Sequence, residues 1–133
     1  MSHGRLRYME IPAIDVEESA AFYEAVFGWK IRRETPSQPY FTDPSGQLDG
    51  TFVVERPASY DPGLLGYLQV DDLDETLAAV LAHGGEVIRA REPADASGVE
   101  HALIRDPGGN VFGLFQAPPG SPVDAAGALP TSP

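Results

Sequence analysis

The sequence predicts an α+β fold in which a βαβββ unit occurs twice. Three observations carry that prediction. An amphipathic helix with an acidic cap and a glycine stop recurs, Gly28 following Asp15 and Gly84 following Asp71 at the same separation of thirteen. Each helix is preceded by one short apolar stretch and followed by three. Before the last stretch of each unit stands an Asp-Pro turn, Asp43-Pro-Ser-Gly46 in the first and Asp106-Pro-Gly-Gly-Asn110 in the second. Self-similarity at this scale points to a repeated supersecondary unit.

The elements follow in order. Leu6 to Ile11 alternates Leu6, Tyr8, Glu10 with Arg7, Met9, Ile11 and reads as a strand that Pro12 ends. Asp15 suits a helix cap, and Glu18 three residues on completes a capping-box-like pair. Phe22, Tyr23, Val26 and Phe27 give that helix one apolar face, and Gly28 suits a left-handed stop. Trp29 to Arg33, Tyr40 to Thr42 and Gly50 to Glu55 are the three strands that follow. Arg56 to Gly63, with Pro57, Pro62 and Gly63, reads as a linker crossing the molecule. Leu64 to Val70 is then a strand, and Asp71 or Asp72 caps a helix with Leu73, Leu77, Val80 and Leu81 on its apolar face. Gly84-Gly85 stops it; Glu86 to Ile88, Glu100 to Arg105 and Val111 to Gln116 are strands, with Glu92 to Gly98 a loop. The domain is expected over residues 5–117, as modules 5–56 and 64–117. Residues 118–133, rich in Pro, Gly and Ala, bury too little apolar surface to offset ordering entropy and are expected to form a disordered tail.

Composition narrows the function. The net charge of −11 repels phosphate backbones and anionic membranes, which argues against nucleic acid and membrane surfaces as partners. No apolar run reaches the ~18 residues of a membrane span, and no apolar h-region follows the first residues. Cysteine is absent, so thiolate metal sites, disulfides and cysteine nucleophiles are excluded; a cytoplasmic location is the expectation. No phosphate loop, dinucleotide fingerprint, Gly-x-Ser-x-Gly or His-Glu-x-x-His is present.

Three stretches together resemble the vicinal oxygen chelate superfamily of glyoxalases, bleomycin-resistance proteins and dioxygenases. They are Ala13-Ile-Asp15 leading to Phe22-Tyr23 and Phe27-Gly28, Val70-Asp-Asp72 leading to Gly84-Gly85, and Asp106-Pro-Gly-Gly-Asn-Val-Phe112. The Glu-Ile-Pro-Ala opening and the Val-Phe-Gly-Leu-Phe-Gln ending are most similar to uncharacterised proteins related to lactoylglutathione lyase. The resemblance implies paired modules forming a curved mixed sheet around a cavity. In the family's metal-dependent members, His, Glu or Gln on the strands holds a divalent ion that binds vicinal substrate oxygens, a task suited to a Lewis acid. Carried over one position at a time, those ligand sites fall on Tyr8, on Leu65, on Gly113, and within the strand from Thr51 to Glu55, where Glu55 is the only acid and the best register gives Val53. Leu, Gly and Val donate nothing, so the resemblance implies a family member without the usual metal site, and no cofactor is expected. Glu10, Glu55 and His101 are the candidates for a displaced site.

The remaining candidates are weighed by chemistry. Tyr8 and Glu10 share a strand face and form either an acid/base pair, with His101 as a further base, or hydrogen-bonding anchors for a ligand. Tyr67 and Gln69 share the face of Leu65 and suit pocket lining or a module seam. Trp29, Phe41, Phe52, Phe112 and Phe115 could form an aromatic pocket, with Phe52 and Phe115 the ligand candidates, although rings more often build a core. His3 lies near a terminus, His83 suits a helix end, and Asn110 is read as a turn residue. The sequence therefore predicts a protein that binds a small metabolite, aromatic or polar, in a cavity without metal; a lyase, isomerase or dioxygenase of the same superfamily, metal-independent or with a non-standard metal site, and an accessory interaction module are the alternatives. A homodimer is expected, because apolar faces and sheet edges of two small modules are better covered in a two-fold pair.

Overall fold

The computed structural model describes residues 3–34, 38–59, 61, 63–93 and 98–117, so the tail expected at 118–133 lies outside the described residues. The first module comprises β1 (Tyr8–Pro12), α1 (Val16–Phe27), β2 (Lys30–Arg32), β3 (Tyr40–Thr42) and β4 (Asp49–Val53). The second comprises β5 (Tyr67–Gln69), α2 (Leu73–Ala82), β6 (Glu86–Pro93), β7 (Glu100–Arg105) and β8 (Val111–Gln116). The fold is α+β with βαβββ twice, as the repeat predicts.

The capping chemistry forms as the residues dictate. Asp15 accepts a hydrogen bond from the Glu18 amide, and Gly28 ends α1 at φ 72°. In α2 the cap is Asp72, which accepts from the Glu75 amide, and His83 is the C-terminal cap. The second helix is therefore shorter than the thirteen-position repeat suggested. The Leu73 amide donates to the Gln116 side-chain oxygen at 2.5 Å, tying β8 to the start of α2. The strands differ from expectation at their ends. β1 runs through Pro12, which a parallel edge strand tolerates because the missing amide faces away from the ladder. β6 extends to Pro93, beyond Ile88, and pairs with β7 across two register shifts.

The strands form two four-stranded sheets, in orders β1-β4-β3-β2 and β5-β8-β7-β6. In each, the strand before the helix returns as an edge, parallel to the last strand of its module and followed by two antiparallel pairs. The helices pack on each other and on the inner faces of both sheets. One apolar core results, including Phe22, Tyr23, Trp29, Phe41, Leu73 and Ile104. No described helix is long and apolar enough to cross a membrane.

Candidate functional site

Side chains alternate across a strand, so each sheet has a core face and an outer face. On β1, Met9 and Ile11 point to the core; Tyr8 and Glu10 stand on the outer face, Tyr8 being 52% exposed. The ladders place Asp49 beside Tyr8, Thr51 beside Glu10, and Tyr40 beyond Thr51. In the second sheet Tyr67 pairs with Gly113 and Gln69 with Phe115, while His101 stands across from Phe115 and Glu92. Tyr8 and Glu10 are thus neighbours, as are Tyr67, Gln69 and Phe115. His101 belongs to this second group, on the other sheet from Glu10.

Two equivalent hydrogen bonds align the modules. The Ala13 amide donates to the Val53 carbonyl at 2.8 Å, and the Val70 amide donates to the Phe115 carbonyl at 2.9 Å. This makes Val53 the counterpart of Phe115, Thr51 the counterpart of Gly113, Tyr8 of Leu65 and Glu10 of Tyr67. The fourth ligand position therefore falls on Thr51, and neither on Val53 nor on Glu55. The Thr51 hydroxyl is already committed: it donates to the Pro39 carbonyl at 2.8 Å and accepts from the Gln38 amide nitrogen at 2.7 Å. At the symmetry-related place, a Cβ added to Gly113 would overlap the ring of Tyr67. That ring lies where a longer side chain at position 113 would project. Tyr8, a bonded threonine, Leu65 and a glycine roofed by a phenol do not fit a divalent ion, which needs about three converging nitrogen or oxygen donors. Among the described residues, no three His, Asp or Glu side chains are grouped as a metal site requires.

A groove of about 470 Å³ runs along the seam between the modules. Met9, Glu10 and Pro12 of β1 form one wall, and Leu65, Gly66 and Phe112 the other. Among the described residues only Glu10 of the sequence-predicted ligand contacts lines it. Glu10 is ion-paired with Arg56, a linker residue to which the sequence assigns no role. Phe52 does not serve as a pocket ring. It is 1% exposed, on the core side of β4, between Tyr23 and Phe41 at centroid distances of 5.9 and 5.3 Å. Period-two alternation explains this: Phe52 lies one residue from Thr51 and faces the opposite way. Trp29 and Phe41 are core residues too, whereas Phe115 is buried on the outer side and lies outside the main core cluster.

Beneath the groove a polar clip joins the modules. Tyr23 of α1 donates to Asp106 at 2.6 Å. Asn110 donates through its backbone and its side chain to the same carboxylate, and through its side chain to the Pro12 carbonyl at 2.7 Å. Burial, then the adjacent Asp106 charge, and then the hydrogen bond raise the Tyr23 pKa well above the ordinary phenol value. Burial raises the Asp106 pKa as well, opposed by the hydrogen bonds it accepts from Tyr23 and Asn110. Tyr23 entered the sequence reading only as part of an apolar face, and Asn110 only as a turn residue. The signal available was a buried-type aromatic with a hydroxyl in one module and an Asp-Pro turn in the other.

A family model describing the glyoxalase/bleomycin resistance protein/dioxygenase superfamily matches residues 5–114. A glyoxylase-like domain-containing protein of Didymella fabae is 35% identical over 63% of this chain and 71% of its own length. A putative lactoylglutathione lyase of Brassica oleracea var. gemmifera is 32% identical over 79% of this chain, and the match spans only 42% of that relative. Among solved structures, a glyoxalase/bleomycin resistance protein/dioxygenase family enzyme of Burkholderia phytofirmans PsJN superposes with a TM-score of 0.71 at 20% identity, covering 86% of this chain and 100% of that one.

Proposed function

We propose, for a chain that belongs to the glyoxalase/bleomycin resistance protein/dioxygenase superfamily, that it binds a small, planar organic molecule at the module seam without a metal ion. The observation that carries this reading is Gly113 with the Tyr67 ring laid over it. A carboxylate at this position would serve a cation; a glycine with a phenol ring above it offers an aromatic surface. The seam groove, whose wall includes Gly66 next in sequence to Tyr67, is large enough for a compact metabolite, with Glu10 as its polar contact and Met9, Leu65 and Phe112 as apolar walls. Tyr8, Tyr67, Gln69 and Phe115 extend the contact surface on the outer faces. A two-fold pair of chains would cover the exposed Leu6, Leu64 and Leu65 at the same seam.

The second reading is a metal-independent lyase or isomerase, favoured by the juxtaposition of Tyr8 and Glu10 and by the likeness to a putative lactoylglutathione lyase of Brassica oleracea. In it Glu10 moves a proton and Tyr8 donates a hydrogen bond to a substrate oxygen.

A thermal-shift screen of metabolites with and without nickel, zinc and manganese, combined with elemental analysis, tests the proposal. Metabolite-dependent stabilisation that metals do not change, with no stoichiometric ion, is the expected result. About one metal equivalent per chain would overturn it, since a single occupied site is what a catalytic ion requires. Turnover abolished by Glu10→Gln with binding retained would establish the second reading instead.

A further inference from the structure

A second groove, of about 600 Å³, adjoins the seam groove at Pro12. Its walls are mostly apolar, among them Ala13, Ile14, Val54 and Ala58. Two guanidinium groups, Arg56 and Arg105, line it as well. The chain carries only nine Lys and Arg residues against 20 acids, so two cations in one apolar groove stand out from a surface that otherwise repels anions.

Both guanidiniums are oriented by the fold. Arg105 donates to the Gly109 carbonyl at 2.9 Å, lies 3.8 Å from the Glu86 carboxylate, and is only 17% exposed in its side chain. Arg56 is held by the Glu10 carboxylate, so it already meets the group it would recognise. The Gly108-Gly109 backbone forms part of the wall; a Cβ at Gly108 would crowd the Pro12 carbonyl, and Gly109 sits at φ 98°, so the turn presents bare backbone there. Ile14 and Val54, at 79% and 62% exposure, are large apolar side chains left in solvent at this groove.

We propose that this groove is a binding site for a small organic carboxylate with an apolar body. The carboxylate exchanges with Glu10 for Arg56 and is held from the other side by Arg105, while the apolar body covers Ile14 and Val54. Guanidinium forks match a carboxylate in two parallel hydrogen bonds, and partial burial strengthens them. Apolar walls distinguish this ligand from a bare inorganic anion. The inference does not rest on the seam groove being occupied, and Glu10 connects the two sites: a carboxylate on Arg56 releases Glu10 toward the seam.

Phenylacetate, phenylacetamide and inorganic phosphate are titrated separately into isotope-labelled full-length protein, followed by backbone amide NMR. Phenylacetate should shift Ile14, Val54, Ala58, Gly108 and Gly109 saturably, with Kd on the order of 1 mM, whereas the neutral amide and phosphate bind at least about tenfold more weakly. Arg56→Gln and Arg105→Gln should each weaken phenylacetate about tenfold, Arg33→Gln on the α1 side should leave it unchanged, and Glu10→Gln should tighten it by freeing Arg56. If Arg105→Gln loses its dispersed spectrum, Arg56→Gln and Glu10→Gln still decide. No shift in the groove, equal binding of amide or phosphate, or equal loss in Arg33→Gln would overturn the proposal.

Discussion

The two modules share a topology and fill it with opposite materials. In the first, Tyr23, Trp29, Phe41 and Phe52 stack through the interior at centroid distances between 4.5 and 5.9 Å. Their counterparts in the second module are Val80, the Gly85 region, Ile104 and Leu114, all aliphatic or absent. Volume is exchanged across the strand pairs: Phe41 faces Gly50 in the first module, and Ile104 faces Phe112 in the second. Likewise Met9 stands beside Gly50, whereas Gly66 lies under Phe112. One backbone plan is thus packed to density by two complementary sets of side chains, as close-packed interiors allow provided total volume is kept. The outer faces differ in the same way. Glu10 next to Thr51 makes a polar row, and its counterpart, Tyr67 over Gly113, makes an aromatic one.

The largest effect that tests this comparison is on the two glycines. A Cβ at Gly50 would overlap the Met9 carbonyl and the Phe41 ring, neither of which can give way in a filled core. Gly50→Ala should cost about 3 kcal/mol or more. The atoms nearest a Cβ at Gly113 all belong to the Tyr67 ring, a residue that is 46% exposed and can swing into solvent. Gly113→Ala should cost about 1 kcal/mol. Urea unfolding of both variants measures the difference; equal losses would mean that the two faces are equally rigid.

The Asp-Pro turns give the next contrast. Asp106 is 3% exposed and bound to Tyr23 and Asn110, so it locks one module to the other. Asp43 accepts only from Ser45, Gln47 and Leu48, within its own turn. Asp106→Ala leaves a buried phenol and amide unpaired and should cost about 3 kcal/mol, against about 1 kcal/mol for Asp43→Ala. Tyr23→Phe should cost about 1–2 kcal/mol at neutral pH. Its pH dependence is more telling. The folded pKa of Tyr23 is raised, so its contribution is fully present below the ordinary phenol value and lost as pH rises through the folded one. Above pH ~10 the wild-type protein should lose stability by up to about 1.4 kcal/mol per pH unit more than Tyr23→Phe. Parallel alkaline slopes for the two proteins would place the Tyr23 hydroxyl in water.

Much of the fold was legible because it rests on local rules. The Asp15 cap and Gly28 stop follow from single residues, and β7 and β8 begin and end where alternation and turn residues say. The candidate site was less legible, because register is not local. The first hairpin turn closes from Asp43 to Leu48 and the second from Asp106 to Asn110. That extra residue moves the fourth ligand position to Thr51, eight places after Asp43, while Gly113 is seven after Asp106. Phe52 shows the same limit: its ring type suggested a pocket, but its parity with Thr51 sends it to the core. Arg56 sits in a linker with no periodicity, so only the folded chain brings it to Glu10.

The smallest expected effect concerns metal. Wild-type protein and Gly113→Glu should both show no change in Tm on adding nickel, zinc or manganese, each compared with its own metal-free baseline. Gly113→Glu restores one carboxylate at the symmetric partner of Thr51, but the other positions stay poor: the Thr51 hydroxyl is bonded to Pro39 and Gln38, and Leu65 has no donor. Tyr8 and the new carboxylate give two donors at most, short of the roughly three that hold a catalytic ion. The new side chain must also displace the Tyr67 ring, so its baseline Tm falls while its metal response stays flat. A rise of more than about 4 °C in the wild-type protein, the scale of a 1 kcal/mol change in a domain of this size, would mean that donors converge outside the family positions. A rise in Gly113→Glu alone would mean that Tyr8 and Thr51 still point at the site they have otherwise left.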